Sequence, residues 1–361
     1  MEKLKRWYSL PGQLRGVFRI LLFLSAVQAF AIPKEKEWIE KKKIVNLSFS
    51  VSASDKIYIQ NQFGDVKVNF WDKKEVRAEV SITANASSED RAADFLGTVD
   101  VFGKKDGSAV SIKTIMNQSE NRSWSNKGDK HSLKIDYIVY MPKSNPLQLK
   151  NSFGNSYLPS FSAPLQLDLS YGKLVADDLL NPQTEVKLAF CQNSYIKSMN
   201  GGSLKASYSG IKMEKADNFD FNNSFGDIDI KEVGKIDAKI SYSKGSIDLL
   251  KESGNLNLEF SSGFKLGSIG KNVKELEIKA SYSPVALVLA DNSSYDFDVK
   301  VHYGDFNYPK DQGVSFTRNT DTEKKDRYGF NPTKYYSGKL GKGSANCKIT
   351  VDSNFGSVKL Q

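Results

Sequence analysis

An octamer built on the pattern Asn-Ser-Phe-Gly recurs along this chain of 361 residues. NSFGDIDI begins at Asn223, and the related octamers are NQFGDVKV at 61–68, NSFGNSYL at 151–158, LSYGKLVA at 169–176 and SNFGSVKL near the C-terminus. Such self-similarity is typical of repeat architectures, in which each unit can bury its apolar face only against its neighbours. The octamer therefore favours folds in which one short unit is stacked many times.

The residues around each octamer alternate between apolar and polar side chains. In Lys235–Leu250 the apolar residues occupy every second position up to Tyr242, and after Gly245 the alternation resumes on the opposite parity. Alternation with a period of two predicts a strand with one buried face, and a parity change at glycine predicts a bend. Each unit is thus predicted to be a strand, a bend, a second strand and a polar turn.

An aromatic residue stands just before each bend and marks the repeat length. It recurs after 17 residues from Tyr208 to Phe225 and again to Tyr242, and after 21 residues from Tyr282 to Tyr303. We therefore predict an all-β fold, a single-chain parallel β-helix or solenoid with coils of about 17–21 residues. The alternative, antiparallel hairpins in a sandwich or barrel, would favour Asn-Gly and Asp-Gly turns, which most turns here lack.

The repeat also predicts where side chains point. We expect the aromatic residues to face inward and stack from coil to coil, and the serines that precede most of them to face outward. Cys191 is aligned with the aromatic position and is expected to be a buried free thiol. Whether it pairs with Cys347, the other cysteine, is left open by the sequence.

Two excursions interrupt the repeat, at about 75–141 and 309–346. The first includes a short helix that Ser87 or Ser88 can cap, with Ala92, Phe95 and Leu96 on one face. We interpret both as covers over the exposed ends of the solenoid or as side decorations, and also as candidates for specific binding. Four aromatic residues could stack on sugars or could pack the excursions onto the coils. These possible ligand contacts are Trp124, Tyr328, Tyr335 and Tyr336.

The N-terminus has the pattern of an export signal. Five basic residues precede an apolar run from Ile20 to Phe30, which ends in the cleavage pattern Ala29-Phe30-Ala31. We predict a signal peptide at 1–31, no transmembrane segment after its removal, and one β-solenoid domain at 32–361. Removal lowers the formal net charge of +9 to a modest value, and no basic run with interleaved aromatics suggests nucleic acid. The periplasm, the outer surface and secretion all remain open.

Residues suited to catalysis or metal binding are scattered. His131 and His302 are far apart, and neither has carboxylates or cysteines at metal-ligand spacing. Asp227 and Asp229 both face outward, but adjacent coils do not extend them into an acidic row. We therefore predict no catalytic residue, no metal site and no cofactor.

Three features of the chain carry a family resemblance: NQFGDVKVNFWDKKEVRAEVSITA, IDYIVYMPKSNPLQLKNSFGNSYLPS and the serial SYG and SFGD units. On these residues the chain resembles the "putative adhesin" family of exported bacterial β-solenoid proteins, a domain of unknown function, and is similar to head domains of predicted autotransporter adhesins. The resemblance implies a parallel β-helix outside the cytoplasm and supplies no catalytic residues. Three functions stay open: a surface module that binds glycans or proteins, a periplasmic scaffold, and a carbohydrate-active lyase or hydrolase. Oligomeric state and ligand are not determined.

Overall fold

The computed structural model describes residues 38–117, 131–290, 293–310, 313–321 and 332–361. The predicted signal peptide at 1–31 lies outside the described residues, as do Trp124 and Tyr328.

In the described residues, eleven coils form the body of the molecule, each made of a strand, a bend and a second strand. The strands before the bend lie side by side in a first stack, and those after it form a second stack. The first stack contains β2 (Lys56–Gln62), β8 (Leu147–Ser152), β10 (Leu165–Ser170), β12 (Glu185–Ala189), β14 (Ser203–Ser207), β19 (Glu275–Ser281), β21 (Tyr295–His302) and β25 (Cys347–Asn354). The second stack contains β3 (Val66–Phe70), β9 (Ser156–Leu158), β11 (Leu174–Leu179), β13 (Ser194–Met199), β18 (Gly263–Ile269), β20 (Val285–Leu289), β22 (Phe306–Asn307) and β26 (Val358–Leu360).

Three long strands belong to both stacks and join them. These are β15 (Ile211–Ser224), β16 (Asp227–Ser241) and β17 (Lys244–Glu259). The first part of each follows a bend, and the second part precedes the next bend. Neighbouring coils pair in parallel and in phase, so that Leu149, Leu167 and Val186 lie one above the other. The predicted solenoid is confirmed.

The core lies between the two stacks, because alternate residues of every strand point inward. On β10, Leu165, Leu167 and Leu169 are buried while the intervening polar residues are not. One apolar cluster runs through all the coils. Burying an aliphatic side chain contributes about 1.5–3 kcal/mol, so each coil is stabilised mainly by contact with the coils on either side.

The coils do not stack in chain order. The final coil, β25 and β26, lies between the coil of β19 and β20 and the coil of β21 and β22. The outer coil, formed by β21 and β22, thus comes earlier in the sequence than the coil that separates it from β19 and β20. The sequence shows only that a final repeat exists, because strand partners far apart along the chain leave no local signal.

Five further strands lie at the N-terminal end of the described residues. β1 (Ile39–Ser50) precedes the first coil, and the excursion contains β4 (Glu75–Ala86), β5 (Val99–Asp106), β6 (Ala109–Met116) and β7 (Ser132–Met141). β6 and β7 pair in parallel with β2 and β3 and so act as one further coil. Antiparallel β5 covers β6, while β4 and then β1 cover β7. The interpretation as a cover is therefore correct but incomplete.

One helix, α1 (Glu89–Gly97), packs against β1 and β4. Ser88 caps it as predicted, since its hydroxyl accepts a hydrogen bond from the Arg91 amide at 3.4 Å. Ala92 is buried, and Phe95 and Leu96 are half-buried on the same side.

The C-terminal excursion adds an antiparallel pair to the first stack. β24 (Thr333–Leu340) pairs with β21, and β23 (Val314–Asn319) pairs with β24. Tyr336 points into the core, where its ring lies 5.0 Å from that of Phe306. The pair extends the core past the outer coil of β21 and β22, as expected of a cover.

Candidate functional site

The most distinctive surface of the molecule is a continuous stack of aromatic rings along the bends, which we call the ring ladder. Adjacent ring centroids are 4.7–5.3 Å apart, and the ring planes differ by 1–12°. The spacing equals the distance between hydrogen-bonded strands, because each coil contributes one ring. In spatial order the members are Phe63, Phe153, Tyr171, Phe190, Tyr208, Phe225, Tyr242, Phe260, Tyr282, Phe355 and Tyr303.

The ladder faces outward, so the prediction that these aromatics point into the core is wrong. Ten of the rings are 41–50% exposed. Each residue has a φ between +50° and +63°, the left-handed region that a bulky side chain rarely adopts. This conformation interrupts the alternation of the strand and turns the side chain out of the coil. The residue two positions earlier faces the core instead, as Leu169 does before Tyr171.

Backbone hydrogen bonds hold the strained bends in register. The Tyr171 amide donates to the Ala189 carbonyl at 3.0 Å, and the Phe190 amide donates to the Ser207 carbonyl at 3.0 Å. A left-handed non-glycine residue costs about 1–2 kcal/mol. Ring contacts on both sides contribute about 0.5–1.5 kcal/mol each, which is enough to offset that cost.

The residue after each ring must be small, because the coils approach most closely there. A Cβ on Gly154 would lie 1.9 Å from the Gly64 carbonyl oxygen, and one on Gly172 would lie 2.0 Å from that of Gly154. Other coils place serine there, and the Ser209 hydroxyl accepts a hydrogen bond from the Cys191 amide at 3.0 Å. This close approach explains the glycine of the repeated octamer.

Cys191 occupies this small-residue position, one residue after the ring of Phe190. The prediction of a buried free thiol is confirmed, while its alignment with the aromatic position is off by one residue. Cys347 is also free and buried, so the two cysteines are not paired. Burial raises the pKa of both thiols, that of Cys347 to about 11, which keeps them protonated and unreactive.

Buried asparagines explain the first letter of the octamer. The Asn61 side-chain amide donates to the carbonyl oxygens of Gly64 and Ile135, at 3.2 and 2.9 Å. Asn151 donates to the Gly64 and Asn155 carbonyls at 3.1 and 3.2 Å. These hydrogen bonds satisfy the buried side-chain amides and tie them to carbonyls at the bends.

A shallow groove runs beside the ladder over four coils. Its lining includes the edges of four rings and the exposed pair Asp227 and Lys244, whose charged atoms are 3.8 Å apart. The faces of the inner rings are covered by their neighbours in the stack, which leaves ring edges and tyrosine hydroxyls exposed. The groove can contact an extended ligand that runs along the solenoid, but it does not enclose a small one.

The two candidate tyrosines of the second excursion have different surroundings. Tyr336 is buried, and its hydroxyl donates to Asp321 at 2.8 Å; burial and this carboxylate raise the pKa of the phenol. Tyr335 is half-buried, with the Arg318 guanidinium 4.1 Å from its ring centroid. The structure thus gives Tyr336 the packing role that was the alternative to ligand contact.

The two histidines lie at opposite ends of the molecule. The ring of His131 stacks on Phe95 in the N-terminal cover at 4.4 Å. His302 Nδ1 is 2.8 Å from the Thr333 hydroxyl, in the outer coil formed by β21 and β22. Within the described ranges, no group of three or more His, Cys, Asp or Glu side chains could hold a metal ion. No helix in the same ranges is both long enough and apolar enough to cross a membrane.

Comparisons with known proteins identify the family of the chain. No curated protein matches it. Among solved structures, it is similar to a "putative cell adhesion protein" from Clostridium sporogenes, with 11% identity over 90% of this chain and 99% of that one and a TM-score of 0.18. It is also similar to a "putative lipid binding protein" from Parabacteroides distasonis and a "putative adhesin" from Parabacteroides merdae. These share 9% and 10% identity over 88% of this chain and 96% of theirs, each with a TM-score of 0.25.

At such TM-scores the solved structures carry no argument about this protein, whereas the family match covers most of the chain. The family model described as Toastrack DUF4097 matches residues 31–350. This match confirms the family-level resemblance drawn from the repeats, and the protein belongs to the Toastrack DUF4097 family.

Proposed function

We propose that the protein is an exported, non-catalytic binding protein of the bacterial cell envelope or surface. The observation that supports this most directly is the ring ladder, an aromatic strip that runs the length of the solenoid and is about half exposed. Exposed apolar patches that are continuous over a large area usually mark binding surfaces. Stacking of the rings on one another accounts for the conformation of the bends. It does not account for the exposure of the outer ring edges along the whole ladder, which a binding surface would use.

The shape of the scaffold also favours binding of something extended. Every coil presents the same outward positions at the strand spacing, so weak contacts recur along the solenoid axis. Parallel pairing of all the coils holds these positions rigidly, which lowers the entropic cost of binding. A glycan chain or an extended protein segment suits such a surface better than a compact metabolite.

Export is supported by the sequence of the N-terminus. The basic residues, the apolar run and the Ala-Phe-Ala pattern at 29–31 are those of a cleavable signal peptide. Cleavage would leave 32–361 as a single solenoid domain. The compartment would be the periplasm, the outer surface or the medium.

The ionisable groups do not favour an enzyme. The carboxylates with lowered pKa are each held by a neighbouring lysine, as Asp178 is by Lys197 at 3.0 Å and Glu89 by Lys41 at 2.8 Å. These pairs are dispersed over several coils and covers. Glycoside-cleaving sites instead need two facing carboxylates with different proton affinities. The carbohydrate-active enzyme is therefore the less favoured alternative.

Protease accessibility on intact cells tests the proposal and separates it from the periplasmic scaffold. We expect digestion of the protein on intact cells, under conditions in which a periplasmic control protein stays whole. Protection until the outer membrane is opened would exclude a surface adhesin and favour an envelope scaffold, whose partner crosslinking could then identify. Turnover of a polysaccharide that is lost on mutating Asp227 or His302 would contradict the non-catalytic assignment.

A further inference from the structure

The outer face of the second stack has a row of five side chains that only the strand register brings together. Lys67, Tyr157, Val175, Tyr195 and Lys212 lie on five successive strands and pair with one another in register. Each stands between buried residues on its own strand and therefore points outward. We call these five residues the tyrosine row; it runs parallel to the solenoid axis.

The two tyrosines have the spacing of a binding platform for an extended sugar chain. They lie on second-neighbour strands, about 9.6 Å apart at the usual strand spacing, with the smaller Val175 between them. Aromatic side chains on a flat sheet present apolar surface to the C–H faces of pyranose rings. In an extended β-1,4-linked chain alternate sugars turn the same face to one side, so two tyrosines in one row can contact every second sugar.

Unpaired lysines surround this platform. Lys67 and Lys212 stand at the two ends of the row, and Lys173 stands beside Val175 on the ladder side. None of the three forms an ion pair with a described residue, whereas Lys134, Lys197 and other lysines of the same face do. Three lysines that are not engaged in ion pairs can each approach an anionic group of a ligand that lies along the apolar strip.

Two of the acidic side chains near the row are paired with lysines. Glu214, close to the Tyr195 hydroxyl, has Lys231 at 3.5 Å. Asp178 has Lys197 at 3.0 Å. Asp229 lies beside Lys212 on the next strand, so the tyrosine row ends at an acidic residue on that side. The exposed Asp177 lies two residues after Val175, on the side away from the ladder. Asp65 lies on the ladder side of Lys67, where its carboxylate accepts a hydrogen bond from the Asn155 amide at 2.8 Å and has Lys134 nearby. The row is therefore bordered by acidic side chains on several sides, and the lysines available to a ligand are Lys67, Lys173 and Lys212 themselves.

We propose that the tyrosine row binds a β-1,4-linked acidic polysaccharide of the uronic acid class, with sugar rings on Tyr157 and Tyr195 and carboxylates at Lys67, Lys173 and Lys212. The proposal rests on the proposed binding function and names its ligand. The chain runs across the strands, parallel to the ring ladder. Lys67 and Lys212 are four strand spacings apart, about 19 Å, so an oligosaccharide of several sugars is needed to reach both.

Calorimetric titration of the purified protein with polymannuronate oligosaccharides tests this proposal. Manno-oligosaccharides of the same length keep the linkage but lack the carboxylates. We expect Tyr157→Ala combined with Tyr195→Ala to weaken polymannuronate binding roughly tenfold. Lys173→Ala combined with Lys212→Ala should weaken it by a similar factor at low salt and by less at high salt, where charges are screened.

The chain offers matched controls for both double variants. Lys187 and Lys205 are neighbours in register on the first stack and form no ion pair within the described part of the chain. The three strands on either side of them place no aromatic side chain in the same row. Lys187→Ala combined with Lys205→Ala removes the same charge and should change binding by less than about twofold. Tyr58→Ala removes an outward tyrosine from β2 and should have equally little effect. Circular dichroism and melting temperatures must show that all variants fold.

Several results would overturn the assignment. These are no binding of polymannuronate by the wild-type protein, equal binding of manno-oligosaccharides, or loss of binding in the controls as large as in the row variants. Binding only to phosphatidylglycerol vesicles would make the row a lipid-surface site. The protease experiment is independent of this titration, so a surface protein that ignores polymannuronate would leave the proposed function standing without this ligand.

Discussion

The central coils and the two end covers are stabilised in different ways. In the coils the same contacts recur: parallel backbone pairing, aliphatic layers and one stacked ring per bend. In the covers single side-chain contacts matter more, such as Tyr336 with Asp321 at 2.8 Å and Asp55 with Lys105 at 2.8 Å. Stability in the coils is therefore shared among many equivalent interactions, whereas a cover depends on a few particular residues.

The largest effect is expected from removing the coil that fills the gap near the C-terminus. Deletion of residues 347–361 leaves two coils with unpaired strand edges facing each other. Such edges template aggregation, so we expect loss of soluble monomer in size-exclusion chromatography. Lys359→Ala, an exposed change within the same coil, should leave the monomer intact. A soluble, monomeric deletion variant with unchanged melting temperature would contradict the intercalated order.

The next largest effect is expected where coils approach most closely. Gly172→Val adds a side chain at a position where even a single Cβ would lie 2.0 Å from the Gly154 carbonyl oxygen. The backbone must shift, and we expect a loss of about 3 kcal/mol in the free energy of unfolding. Gly97→Ala is the matched control, because its Cβ would meet nothing within 4 Å. Denaturant titration should show almost no change for that variant, and equal losses for both would contradict the close approach.

A smaller effect is expected from the ladder itself, although it is the most visible repeat. Tyr208→Gly removes two ring contacts but also relieves the left-handed strain at φ +50°, so stability should change by no more than about 1 kcal/mol. Tyr208→Ala loses the same contacts and keeps the strain. It should be roughly 1 kcal/mol less stable than the glycine variant in thermal unfolding. The opposite order would show that the bends are not strained.

The smallest and most local effect is expected from acid at the N-terminal cover. The Lys105 ammonium first, and then the Ser52 hydroxyl and amide, lower the pKa of Asp55 from 3.8 to about 2. A carboxylate with a lowered pKa stabilises the folded state above its unfolded pKa, and this stabilisation is lost as the pH falls from about 4 to about 2. The difference in melting temperature between wild type and Asp55→Asn should therefore shrink over this range. A constant difference would mean that the Asp55 charge does not hold the cover.

The sequence was informative where the physical rule is local. Alternation predicted the strands, the parity change at glycine predicted the bends, and Ser88 was one of two caps predicted for α1. Phe190 and Phe260, which the predicted spacing does not name, also belong to the ladder. The direction of the rings was predicted wrongly, because alternation was extended through a residue whose left-handed backbone ends the alternation.

What the sequence by itself determined is the unit: its length, its buried aliphatic positions, its small residue after each ring and the number of interruptions. Only the tertiary structure decided the order in which the units stack and which side chains come together on their outer faces. The final coil lies between two coils that precede it in the sequence. The tyrosine row consists of five residues that are spread along the chain from Lys67 to Lys212. The physical reason is that strand pairing and register depend on residues that are distant along the chain. The repeat therefore predicts that coils stack, but it does not predict which coils become neighbours.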